Sequence, residues 1–252
     1  MNKYLKIVLL LLFSVKSYNQ EKVDIKNMID SYKTKDEKKI LDYFPQDFIS
    51  FKSIFGWNDS VDKPNVLYDD SKVYIDYLFQ IARKNEFARK KILKIAKDAH
   101  WEADGVSYFQ IDLNELVESN TTDILSMIYQ LPRNEFVGFW NFYFESEDLR
   151  FSKKLFDLLD EKNRIEVMKI FEKLIYKEQS WKKKDKLPYT YVIKDKDGYA
   201  NLREQPNSKS KIIEKLLVDD EVITLDRSGD WWFLISKNKN IGFVHNSRLF
   251  LK

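Results

Sequence analysis

The sequence predicts a multi-domain chain, an all-α helical bundle followed by a small, strongly bent β-barrel. Three observations lead there. Between about Val23 and Lys186 the apolar residues recur three and four positions apart, the period of an amphipathic helix. Between Tyr191 and Leu251 the pattern becomes short runs of β-branched and aromatic residues, each bounded by Gly, Pro, Asn, Asp or Ser. The two regimes meet at Trp181-Lys182-Lys183-Lys184-Asp185-Lys186-Leu187-Pro188, a charge run that ends in proline. The 252 residues, 44% hydrophobic and 15% aromatic, suffice for two globular units with packed cores. The predicted division is a leader over 1–19, a helical domain over 20–180, a linker over 181–188 and the barrel over 189–252.

Met1 to about Asn19 reads as a secretory signal peptide. Lys3 and Lys6 precede the apolar run Ile7 to Val15, and Lys16 to Asn19 form a short polar exit. The apolar run is too short to span a bilayer stably. The expected location is therefore outside the cytoplasm, periplasmic or extracellular, with no stable membrane insertion once the leader is removed. Of the 43 basic residues, three lie in this leader and no acid does, so the remainder balances the 40 acidic residues. A neutral mature chain gives no support to nucleic-acid binding. The chain has no cysteine, which excludes disulfides, thiolate metal sites and a cysteine nucleophile.

The helices follow in order. Thr34-Lys35-Asp36-Glu37 has capping-box spacing ahead of Ile40, Leu41, Tyr43 and Phe44. Phe48, Phe51, Ile54 and Phe55 form one stripe that ends at Gly56, and Asn58 to Asn65 reads as a polar loop. Asp69-Asp70-Ser71 is placed to cap a helix carrying Val73, Tyr74, Tyr77, Leu78 and Ile81. Glu86 to Ala99 continues with a basic edge that reads as a solvated face. Asn120-Thr121-Thr122 starts the next helix, which Pro132 ends, and Asn134 is placed to cap Phe136, Phe139, Trp140, Phe142, Tyr143 and Phe144. That segment is apolar nearly all round, so it is expected at the centre of the bundle. Two amphipathic helices, Leu149 to Leu159 and Arg164 to Tyr176, complete the set. No repeat period is sustained, which disfavours a solenoid.

Chemistry has few places to reside. The only histidines are His100 and His245, too few for a His-rich zinc site. No phosphate-binding glycine loop, nucleophile elbow or calcium loop is present, and no cofactor, metal or catalytic residue is assigned. His100, Glu102 and Asp104 gather an imidazole and two carboxylates around Trp101 at a break between helices, where Gly105 allows a bend. The plain reading is a packed interhelix turn. The sharper one makes Glu102 a general acid partnered by Asp104, as in glycoside cleavage.

In the C-terminal stretch, Trp231, Phe233 and Ile235 share one face of a strand and Trp232 and Leu234 the other. Both faces are apolar, so one packs the barrel and the other must be covered or form an exposed patch. Tyr191, Tyr199, Trp231 and Trp232 are the candidate ligand-binding residues, because Tyr and Trp offer large contact areas with a polar tip. Ala200-Asn201-Leu202-Arg203 with Pro206, Gly229-Asp230-Trp231-Trp232, and Gly242-Phe243-Val244-His245 with Leu249 follow one another in the stretch. In these residues, in this order, it resembles the bacterial SH3-like family (SH3b, type 3), although the family usually has Trp where Phe243 stands. The resemblance implies a binding module of the kind often found on exported proteins acting at the cell wall, with no catalysis of its own. The expected function is an exported, non-enzymatic binding protein that recognises peptidoglycan peptide or an envelope protein partner. The alternative is a cell-wall glycosidase with a catalytic helical domain and a targeting barrel.

Overall fold

A computed structural model describes residues 24–119, 121–146, 149–181 and 189–252. The predicted leader, 1–19, and residues 182–188 of the predicted linker lie outside the described residues. Among the described residues, ten helices precede a seven-stranded antiparallel sheet, the order that the change of period predicts. The helices are α1 Ile25–Lys33, α2 Glu37–Tyr43, α3 Phe48–Phe55, α4 Ser71–Ala82, α5 Glu86–Ala96, α6 Gly105–Ser119, α7 Thr121–Tyr129, α8 Arg133–Phe144, α9 Lys153–Leu158 and α10 Glu161–Trp181.

Short polar side chains set most helix starts. Asp24, Asp36, Asp47, Asn85 and Ser152 each accept a backbone N–H of the first turn, and Asp47 with Ser50 completes a capping box. The expected box at Thr34 is not formed. Thr34 ends α1, its hydroxyl donating to the Asp30 carbonyl, while Asp36 caps α2. Asp70 does precede α4 but makes no side-chain cap bond, and α8 starts behind Pro132 rather than at Asn134. The expected polar loop after Gly56 contains a small hairpin, β1 (Trp57–Asn58) against β2 (Lys63–Pro64), turned by Asp62 at φ +51°.

Helix α8 lies at the centre of the helical body, as its aromatic run predicts. Phe136, Phe139, Trp140, Phe142, Tyr143 and Phe144 are all buried. Gly138 lets α5 approach it: a Cβ there would stand 2.0 Å from the Lys97 carbonyl oxygen. Gln110 of α6, itself buried, donates to the carbonyls of Phe142 and Glu145 and so satisfies orphan acceptors at the end of α8.

The sheet consists of β3 Thr190–Ile193, β4 Tyr199–Arg203, β5 Ile212–Leu217, β6 Glu221–Asp226, β7 Trp231–Ser236, β8 Ile241–His245 and β9 Leu249–Leu251, in the spatial order β5-β4-β8-β7-β6-β3-β9. It coils around one interior cluster to which every strand contributes, including Ile193, Leu202, Leu216, Val222, Leu234, Val244 and Leu249. Bulges after Leu202 and Thr224 accompany the bending. The described pairings leave the sheet open between β5 and β9, where a closed barrel would join its ends.

The outer face of the sheet is continuous with the helical core. Leu225, Phe233, Ile235 and Phe243 belong to the same buried cluster as Phe144, Phe151 and Phe171. Ring contacts step across the junction from Phe144 to Phe151 (5.1 Å), Phe151 to Phe156 (6.3 Å), Phe156 to Phe233 (5.6 Å) and Phe233 to Phe243 (5.1 Å). The amphipathic run expected as one helix from Leu149 to Leu159 is helical only over α9. Its first three residues instead form an extended strap that hydrogen-bonds to the sheet. Leu149 N–H donates to the Tyr189 hydroxyl (2.9 Å), Arg150 Nε to Asp226 (2.9 Å) and Phe151 N–H to the Leu225 carbonyl (2.8 Å). Bonds to the sheet satisfy backbone donors that a further helical turn would have left without partners.

Candidate ligand groove

One end of the outer face is only partly buried, although Trp231 there packs against the shared cluster. There the side chains of β4, the start of β7 and the end of β8 line a groove of about 360 Å³. Strand alternation turns Tyr199, Asn201 and Arg203 outward while Ala200 and Leu202 are buried. Trp231 and His245 are direct cross-strand partners, their rings 5.3 Å apart and nearly perpendicular. Both are half-buried, and both line the groove with Tyr199.

The polar rim is organised by short bonds. Arg248 pairs with Asp195 at 2.6 Å, and that carboxylate is almost wholly covered. Arg203 donates to the Ser210 carbonyl at 2.7 Å. The Lys215 ammonium stands 3.5 Å from the centre of the Tyr199 ring, a cation–π contact. His245 Nδ1 accepts from the Ser247 backbone N–H (3.3 Å) and lies 2.8 Å from the Ser247 hydroxyl. A ring nitrogen that accepts cannot carry the proton of the neutral imidazole, so that proton sits on Nε2.

The four aromatic candidates therefore separate into two pairs. Tyr199 and Trp231 lie at the groove. Tyr191 is buried, its ring 5.0 Å from Trp232 and its hydroxyl accepting from Arg227, and Trp232 packs against the interior cluster. Periodicity separates Trp231 from Trp232, but it does not say which face a neighbour will cover. His245 joins the groove although it is not among the candidate ligand-binding residues named from the sequence; its register opposite Trp231 was the available signal.

The cluster in the helical body divides as well. His100 Nε2 and Lys52 Nζ meet the same oxygen of Glu102, at 2.9 and 2.6 Å, and Lys52 reaches Asp59 at 3.3 Å. The hydrogen bond from Lys52 to Glu102 holds the ammonium pKa above its ordinary value. Asp104, at φ +60°, accepts from the Tyr68 hydroxyl instead, and that bond pushes Tyr68 up to about 12. Glu102 and Asp104 thus have different partners. His100 also borders a groove of about 730 Å³ between α8 and α10, floored by Val137, Ile170 and Leu174 and edged by Lys97, Lys169 and Lys173. Among the described residues, no group of three or more His, Cys, Asp or Glu side chains is placed to hold a metal ion. Among them, too, no helix is long and apolar enough to cross a membrane.

Residues 198–250 match the family described as Bacterial SH3 domain. The C-terminal part of the chain is therefore a bacterial SH3 domain, and the helical part has no family match. Strand β3 lies before the matched segment yet pairs with β6 and β9, so the sheet extends beyond it. No curated protein matches the chain.

Proposed function

We propose that this is an exported, non-enzymatic binding protein whose SH3 module takes a cell-wall peptide in the groove floored by Tyr199 and Trp231. One observation carries the reading. The centre of the outer face is buried in the core shared with the helical body, and at one end two aromatic rings, an imidazole and charged side chains converge on a groove. Aromatic floors with a polar rim suit a peptide, because they bury apolar area while leaving hydrogen-bonding groups within reach. Export is supported by the charged and apolar pattern of the first nineteen residues. The non-enzymatic part is supported by the absence of cysteine and by the separate partners of Glu102 and Asp104. The helical body then serves as the rigid mount that holds the groove open.

The test is co-sedimentation of the mature protein with purified peptidoglycan sacculi. Retention is expected, and the double variant Tyr199→Ala/Trp231→Ala should weaken it on the order of tenfold or more. A folded wild-type protein that stays in the supernatant would overturn the reading. A clearing zone on a sacculus gel would overturn its non-enzymatic part.

A further inference from the structure

We propose that His245 is a binding residue of the groove, its Nε2–H donating to a carbonyl or carboxylate oxygen of the seated peptide. This deepens the function proposed above and rests on it. Nδ1 is committed to Ser247, which fixes the ring's rotation and places the proton of the neutral ring on the opposite nitrogen. Trp231 standing edge-on at 5.3 Å restrains the ring a second time. Nε2 has no hydrogen-bond partner among the described residues, whereas the nearby guanidinium groups of Arg203 and Arg248 are committed to Ser210 and Asp195. A donor fixed by its neighbours loses little conformational freedom when a ligand arrives, which is what a specificity contact needs. The ligand chemistry that fits is a peptide oxygen beside apolar surface resting on Tyr199 and Trp231.

Two substitutions separate the ring's two jobs. His245→Asn keeps an acceptor near the Nδ1 position for the Ser247 N–H and removes the distal donor. His245→Gln keeps an N–H donor near the Nε2 position and gives up that acceptor. Each variant and the wild type would be titrated against two probes, intact peptidoglycan sacculi and sacculi stripped of stem peptides by an amidase, with thermal midpoints measured alongside. The expected result is wild-type retention on intact sacculi only. His245→Asn should have an unchanged midpoint and affinity about three- to tenfold weaker, the loss of one ordinary hydrogen bond. His245→Gln should have a lower midpoint and affinity within about twofold of the wild type. Equal affinity of His245→Asn and the wild type would overturn the assignment while leaving the groove's function standing. Equal weakening in both folded variants would overturn it too, as would undiminished retention on stripped sacculi. Absence of wild-type binding to both probes would remove the groove's proposed function and this inference together.

Discussion

The two ends of the β7–β8 ribbon are built from the same alternation and meet different fates. Toward one end Phe233, Phe243 and Ile235 are buried in the cluster shared with the helical body; at the other the outward pair Trp231–His245 is half-buried and lines an open groove, with Trp231 packed only against the edge of that cluster. Nothing in the strand itself distinguishes them, since every position is an outward side chain on one antiparallel ladder. What differs is the neighbour. The ring of Phe156 meets Phe233, and the strap Leu149–Phe151 bonds to Tyr189, Leu225 and Asp226, the last of these opposite Phe233. The proposed binding face is in this sense the part of the sheet that the scaffold covers least.

The sharpest way to break that comparison is Phe233→Ala. Phe233 is 1% exposed and touches both Phe156 of the helical body and Phe243 of the sheet. Removing it should cost about 3–5 kcal/mol in urea unfolding, from lost transfer energy and the cavity left behind. The same truncation at half-buried Trp231 should cost far less stability and act on ligand binding instead. Comparable losses at both sites would mean that the open end is as structural as the covered one.

How much of this was legible in the sequence follows from the range of each contact. The strands were legible because period-two runs and turn residues are local signals. The central position of α8 was legible for the same reason, in a segment apolar on all sides. The apolarity of both faces of Trp231 to Ile235 was also legible, and it required a cover. The identity of the cover was not. Arg150 and Asp226, paired across the junction, lie 76 positions apart, and no local pattern announces such a meeting. The same long-range bonding draws Leu149 to Phe151 out of helix although their spacing is amphipathic. At the candidate site, Tyr199 and Trp231 were named from residue type alone, and Tyr191 and Trp232 were named on equal grounds. Only the register and the curl of the sheet separate the two pairs. The hairpin from Trp57 to Pro64 was missed because its two-residue strands are too short to show a period.

A smaller effect tests the free edge of the sheet. Glu214 of β5 accepts from Ser236, Asn238 and Asn240 and so ties the edge strand to the β7–β8 turn. Burial acts to raise its pKa, and the three hydrogen bonds outweigh that and hold it below the ordinary 4.5. A depressed carboxylate contributes stability that is fully present above the unfolded value and is lost as pH falls through the folded one. Glu214→Gln should therefore cost about 1 kcal/mol at neutral pH, and the gap to the wild type should close as the pH drops below 4.5. Chemical unfolding at several pH values reads this directly. A gap independent of pH would show that shape, and not charge, holds the edge.

The smallest effect lies on the junction itself, at Arg150→Ala. The ion pair with Asp226 is short at 2.9 Å, but the arginine side chain is 59% exposed, and Asp226 has a second donor in the Ser228 backbone N–H. Solvent screening of the guanidinium and the remaining donor to the carboxylate limit the loss to about 0.5 kcal/mol, less at high salt. The ratio between this substitution and Phe233→Ala separates two accounts of how the module is held. If the junction is apolar, the phenylalanine dominates severalfold and added salt leaves the ranking unchanged. If Arg150→Ala costs as much as Phe233→Ala at low salt, charge does the docking. The covered and open ends would then differ by electrostatics and not by which residues the helical body happens to bury.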